Sequence, residues 1–197
     1  DEAYQMRLAT VPESARDYIR CNSDGFIDRD LINQSDCQSS NFLDLKELVN
    51  NDCVIEVSVS SSYDFIGEDG SVCTNNEFNM FPLVVDNDFA DPMGLTSDGV
   101  STGETGFKGV AQFPEQSASV PSTNQNVKVH VNSQLSQQGR AETFSHEFYG
   151  HAFIYVTTQN VGAAEHDYRA GMSDGNELLT NRIINAKRET ITNNKRQ

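Results

Sequence analysis

Three of the chain's four histidines, His146, His151 and His166, fall within 21 residues. The first two flank a carboxylate in Ser145-His146-Glu147-Phe148-Tyr149-Gly150-His151. Imidazole nitrogen is a favoured ligand of Zn2+, and three protein ligands with one position left open mark a hydrolytic rather than a structural site. In the common H-E-x-x-H pattern, two histidines at i, i+4 share one helix face and the glutamate serves as general base. Here the spacing is i, i+5, with one residue inserted. On an ideal α-helix, at roughly 100° per residue, position i+5 lies about 140° around from i, so both rings cannot reach one ion. Three arrangements answer this. A π-turn can bring i+5 back under i, the helix can break at Gly150, or Glu147 and His151 at i, i+4 can be the ligands with His146 a bystander. The π-turn is favoured, because Gly150 tolerates distortion and the following FIYVTT still reads as helix.

The elements that must position these residues follow from periodicity. Residues 140–158 read as one helix with Phe144, Phe148, Ala152 and Tyr155 on a core-facing stripe. A linker at 159–173 leads to a second helix at about 175–192. Helical spacing also recurs at 11–22 and at 43–51, where Leu43, Leu45 and Leu48 lie near one face. Strands are clearest at 54–60 (VIEVSVS) and 127–131 (VKVHV), and weaker at 80–85 and 107–113. Loops rich in Gly, Ser, Asn and Asp fill 66–79, 86–106 and 114–126. Strands in the middle and long helices at the end predict an α+β fold rather than alternating βαβ units. Asn22-Ser23-Asp24-Gly25-Phe26-Ile27 has the look of a calcium loop. Aligning Gly25 with the invariant glycine, however, puts Arg20 and Leu31 at positions that must supply oxygen, so the segment is read as a tight Asp-Gly turn feeding the next helix.

Composition narrows the function. The 197 residues carry 14 Lys plus Arg against 29 Asp plus Glu, for a net charge of −15. All of that excess lies in residues 1–100, with 20 acids and 5 bases, whereas 101–197 is balanced at 9 and 9. A phosphate-backbone binder needs the opposite sign, so nucleic acid is excluded as a partner. No apolar run approaches the roughly 18 residues of a membrane span. The chain begins at Asp1 without Met or signal peptide, which suggests a trimmed or processed piece of a larger polypeptide. Its four cysteines, an even number with no CxxC, suit two disulfides in an exported protein, periplasmic, cell-surface or secreted. Cys53 and Cys73 bracket a strand-turn-strand segment and are the favoured pair.

The stretch Gly139–Ala152, GRAETFSHEFYGHA, resembles a segment of zinc peptidases inferred in Bacteroides-type genomes, often attached to RHS/YD-repeat-like proteins. Asp24-Gly25-Phe26-Ile27-Asp28, Val127–Asn132, Ala163-Ala164-Glu165-His166 and Gly171-Met172 are similar to that group too, so the resemblance covers most of 17–190. Its specific part is the His-Glu helix, an HExxxH variant of the H-E-x-x-H motif. The resemblance implies a single zincin-like metallopeptidase domain over 1–197, with 1–16 as a peripheral N-terminal arm. It implies a small mixed or antiparallel sheet packed on a metal-binding helix and a C-terminal helix.

In such a site one Zn2+ is held by His146 and His151 and lowers the pKa of its bound water, and Glu147 takes that proton and passes it to the leaving group. The substrate is a protein or peptide, paired in extended form along the strand at 127–131. Tyr149 and His130 are candidates for oxyanion or substrate contacts, each with a packing role as the competing explanation. Two residues compete for third ligand. His166 lies 15 residues beyond His151 in a loop that can fold back over the helix, and it is preferred because zinc favours imidazole. Glu177, in Asn176-Glu177-Leu178-Leu179-Thr180-Asn181, is similar to the ligand of glutamate-type zincins. It is also explained as the partner of an Asp174 helix cap. The alternative to an enzyme is a non-catalytic interaction module on the same scaffold, with a structural metal or none.

Overall fold

The computed structural model describes residues 2–67, 69–76, 108–114, 122–166 and 176–195. Four helices open the chain: α1 (Glu2–Ala9), α2 (Glu13–Arg16), α3 (Arg29–Asn33) and α4 (Ser40–Asn50). Five strands follow: β1 (Ile55–Ser60), β2 (Ser62–Ile66), β3 (Val72–Asn76), β4 (Gly109–Gln112) and β5 (Val127–Asn132). The chain then runs through α5 (Gln137–Phe144), a π-helical segment (Ser145–Ala152) and α6 (Phe153–Thr158) without interruption, and α7 (Glu177–Lys195) closes it. The fold is α+β. Among the described residues no helix is long and apolar enough to cross a membrane.

β5 is the centre of a mixed three-stranded sheet. It runs parallel to β1, with Val57 opposite Val129, and antiparallel to β4, with Gly109 opposite Val131. Its alternating valines, Val127, Val129 and Val131, are all fully buried on one face. The long α5–π–α6 helix packs on that face. The other face is met by a β2–β3 hairpin, whose Tyr63 ring stacks on His130 at 5.6 Å. The expectation that 127–131 lies beside an extended substrate as an available edge is therefore corrected, since both flanks of β5 are taken. Among the described residues the edge strand on the antiparallel side is β4. The hairpin strand β3 lies inside the 66–79 segment read as loop, because cross-strand pairing with β2 supplies the order that its polar sequence does not signal.

The helical stripe is as its spacing predicts: Phe144, Phe148, Ala152 and Tyr155 are buried, with Phe144 stacked on Phe148 and Phe113 on Tyr155. On α4 the buried face is Asn41, Phe42, Leu45 and Leu48, whereas Leu43 is exposed, one residue off the 3.6-residue stripe. The helix read over 11–22 is only one turn long. Beyond it the chain extends into a bridge between Cys21 and Ile27, closed by Asn22, whose Oδ1 accepts from the backbone N–H groups of Asp24 and Phe26. Gly25 sits at φ 85°, and Asp28 caps α3 through Leu31 N–H, so the segment is the Asp-Gly turn leading into a helix. Residues of the expected N-terminal arm, Met6, Val11 and Ala15, belong to the core. All four cysteines are free, which corrects the Cys53–Cys73 pairing. Cys53 packs partly buried against the core, whereas Cys73 lies on the β2–β3 hairpin beside Ser71. The strand read at 80–85 and the loop at 86–106 lie outside the described residues.

Candidate metal centre

The π-helical segment places His146 and His151 on one side of the helix, with their Nε2 atoms 3.1 Å apart. An i→i+5 hydrogen-bond ring adds one residue to the turn and so carries i+5 back over i, where an α-helix would have turned it away. Gly150 makes this possible by packing rather than by backbone freedom. Its φ is not positive, and a Cβ there would stand 2.5 Å from Ile183 Cγ1. The π-segment thus lies tightly against α7. Arg182 of α7 adds a bond from Nε to the Tyr149 carbonyl at 2.7 Å, stacks over the Phe153 ring and pairs with Asp44 of α4.

His166 reaches the same point from the loop after α6. That helix ends at Gln159 in the left-handed conformation, and the chain folds back through Ala164 N–H bonds to the carbonyls of Asn160 and Val161. His166 Nε2 comes to 3.4 Å from His146 Nε2, and the candidate ligand atoms of the three rings all lie within 4.8 Å of one another. His151 Nδ1 is 2.6 Å from the Ala164 carbonyl, which accepts only, so Nδ1 carries the proton and the Nε2 lone pair faces the cluster. Burial first, and then the neighbouring charges of His151, His166, Lys187 and Lys108, hold His146 well below the usual imidazole range. A neutral imidazole is the form that ligates a metal. The donor set therefore fits a borderline-soft divalent ion such as Zn2+, and among the described residues no fourth His, Cys, Asp or Glu joins it.

Glu147 points to the sheet side of the same helix. It is 8% exposed and accepts a hydrogen bond from Ala111 N–H of β4. Space for it comes from Gly109, where a Cβ would meet Glu147 Cγ at 3.0 Å and Thr143 Cγ2 at 2.6 Å. Burial pushes the Glu147 carboxyl up to about 8, against the opposing pull of the Ala111 N–H and the Lys187 charge.

The remaining expected contacts lie elsewhere. Tyr149 is fully buried on the core side. Its hydroxyl is 2.8 Å from Thr10 Oγ1, and burial raises its pKa, so it is a packing residue and is corrected as an oxyanion contact. His130 alternates onto the sheet face away from the helix. There it bridges Ser58 Oγ at 2.6 Å and Gln112 Oε1 at 2.8 Å, with both ring nitrogens occupied. Burial, then the Lys128 charge, lowers it to about 4. Glu177 is exposed in the first turn of α7 and is not in the histidine group. The cap role expected of Asp174 lies outside the described residues. Asn176 Oδ1 accepts from Leu179 N–H at 3.2 Å, the bond of a helix cap. Asn176 and Gly109 are the site-supporting residues that sequence reading passed over. An Asn directly before a helical run was a visible cap signal, whereas nothing local marked Gly109.

Comparison with protein-family models, with curated proteins and with solved structures finds no match to this chain.

Proposed function

We propose that the chain is a metal-dependent hydrolase, a zincin-like zinc peptidase acting on a protein or peptide substrate. One Zn2+ would be held by His146, His151 and His166. The observation that carries this is the convergence of three imidazole Nε2 atoms, two from a π-distorted helix and one from the loop that follows it, with a buried glutamate next to His146 in that helix. When bound, Zn2+ supplies a Lewis acid and lowers the pKa of a coordinated water toward neutrality.

The chain's own groups supply the rest. Glu147 is the proton acceptor. A carboxyl raised to about 8 by burial matches the driving force of a proton transfer near neutral pH, and a cation nearby draws its value down toward the ionised form. The Ala111 N–H fixes which way the carboxylate faces and leaves its remaining lone pairs free to take a proton. The same bond supports one path for an extended substrate. Asn132 N–H donates to the Lys108 carbonyl at 2.8 Å, which sets the phase of the β4–β5 ladder so that Ala111 N–H turns away from β5, toward Glu147. The outer flank of β4 therefore runs past the proton acceptor, and an extended peptide laid there would bring its scissile bond beside Glu147.

The test is elemental analysis of protein purified without chelator or tag-derived metal, followed by cleavage of a complex peptide mixture. Zinc near one equivalent, with cleavage lost in Glu147→Gln, supports the proposal. Absence of any transition metal, with none bound on addition of micromolar Zn2+, overturns it. Bound metal without Glu147-dependent cleavage favours a non-catalytic module.

A further inference from the structure

The third histidine comes from a loop, and a loop ligand is useful only if something holds it to within a fraction of an ångström. Among the described residues, the Asn176 side chain holds the loop from outside the cluster. Asn176 Nδ2 donates to the Ala163 carbonyl at 2.7 Å and to the Glu165 carbonyl at 3.1 Å. Those carbonyls flank Ala164, whose own carbonyl accepts the His151 Nδ1 proton, and Glu165 directly precedes His166. The other end of the same amide, Oδ1, accepts from Leu179 N–H and caps α7, while the Asn176 carbonyl accepts from the N–H and hydroxyl of Thr180, both at 3.0 Å. The helix so capped is seated on the π-segment through Ile183 and Arg182. A continuous chain of contacts therefore runs from the helix bearing His146 and His151, through α7 and Asn176, to the loop bearing His166.

We infer that Asn176 is a positioning residue of the metal centre, one that sets the place of His166 and the acceptor orienting His151. This rests on the metal-binding reading above. Asn suits the task because its amide carries an acceptor and two donors at once. Aspartate would be an equally good cap but has no donor for the two carbonyls, so Asn176→Asp separates the two roles.

The experiment is titration of the 197-residue apo-protein with Co2+, read by its visible absorption, alongside thermal melting of the apo form. Wild type, Asn176→Asp, Asn176→Ser (which also keeps a cap acceptor but loses the amide donors) and His166→Ala are compared. For Asn176→Asp and Asn176→Ser the dissociation constant is expected to rise roughly 10–100-fold, the usual effect of removing a group that orients a ligand. Their Co2+ bands should shift toward that of His166→Ala, and their apo melting temperatures should stay within about 3 °C of wild type, less than about 1 kcal/mol for a chain this size. In the His166→Ala background, Asn176→Asp should cost much less affinity, because its main target is gone. Wild-type affinity and spectrum in both Asn176 variants overturn the inference. So does a loss of affinity that appears only with a matching loss of the apo fold. Wild type that binds neither Co2+ nor Zn2+ overturns the metal-binding reading itself, a result that variant behaviour cannot produce.

Discussion

His146 and His151 stand five residues apart in the chain, yet their Nε2 atoms are 3.1 Å apart. An α-helix would send them to different faces; the π-segment from Ser145 to Ala152 brings them together. Such a segment has poorer packing and hydrogen-bond geometry than an α-helix, and neighbouring contacts must hold it. Here Ile183 fills the space beside Gly150, Arg182 bonds the Tyr149 carbonyl, and Ser145 Oγ meets Thr190 Oγ1 of α7 at 2.6 Å.

Gly150→Ala should therefore destabilise the protein by about 1–3 kcal/mol, the usual cost of overpacking, even though alanine is the better helix former. The added methyl collides with Ile183, and relief by α7 moving away would loosen the histidine cluster. Urea unfolding measures the loss. Adding Ile183→Ala should recover part of it, giving a favourable coupling between the two sites. Equal stability of Gly150→Ala and wild type would show that the contact has room to give.

Glu147→Gln should bind metal as wild type does and lose hydrolysis by about 10²–10⁴-fold. The amide oxygen still accepts from Ala111 N–H, so position is kept, but the proton acceptor is gone. Metal analysis and peptide cleavage on the same preparation check both halves. Loss of metal together with activity would instead make Glu147 a ligand.

His166→Ala should weaken zinc binding by orders of magnitude, whereas Glu177→Ala should leave it unchanged. Glu177 is exposed at the first turn of α7, so its removal should cost only about 0.3–0.5 kcal/mol through the helix-end charge. Competition titration against a zinc indicator distinguishes them. The reverse order of effects would transfer the third-ligand role to Glu177.

The His130 bridge predicts a pH dependence of folding. Its pKa falls from 6.5 in the unfolded chain to about 4 in the folded one, so the unfolded state binds the proton more tightly. The stabilisation is present in full above pH 6.5 and is lost progressively as pH falls toward 4, by about 1–3 kcal/mol. The facing charges are Lys128, which opposes protonation, and Asp64 and Glu56, which favour it. Urea midpoints across this range should fall more steeply for wild type than for His130→Gln. Parallel slopes would remove His130 as their source.

Denatured, unreduced protein should titrate with four thiols, since Cys21, Cys37, Cys53 and Cys73 are all free. Two or fewer would restore a disulfide.

Features decided within a few residues were legible in the sequence. The i, i+5 histidines on an apolar-striped segment favoured a π-turn over a broken helix or a Glu147–His151 pair, the valine alternation of 127–131 marked a strand, and Asp24-Gly25 marked a turn, because each depends on helix pitch, pleat or backbone freedom close by. What lay between distant segments was decided only by the tertiary structure. Alternation showed that His130 and Val129 face opposite ways, but only the packing of the long helix and of Tyr63 decided which face looks toward the helix that bears His146 and His151. Helical spacing left Tyr149 free to face substrate or core, and Thr10, 139 positions away, turned it inward. His166 and Glu177 were both within reach of His151 by chain length, and the loop carrying His166 gained the place through carbonyls that Asn176 holds. The centre of the sheet went to β5 rather than to an edge for the same reason. Strand neighbours and loop positions are chosen by the burial and hydrogen bonding of groups far apart in sequence, and no local pattern encodes that choice.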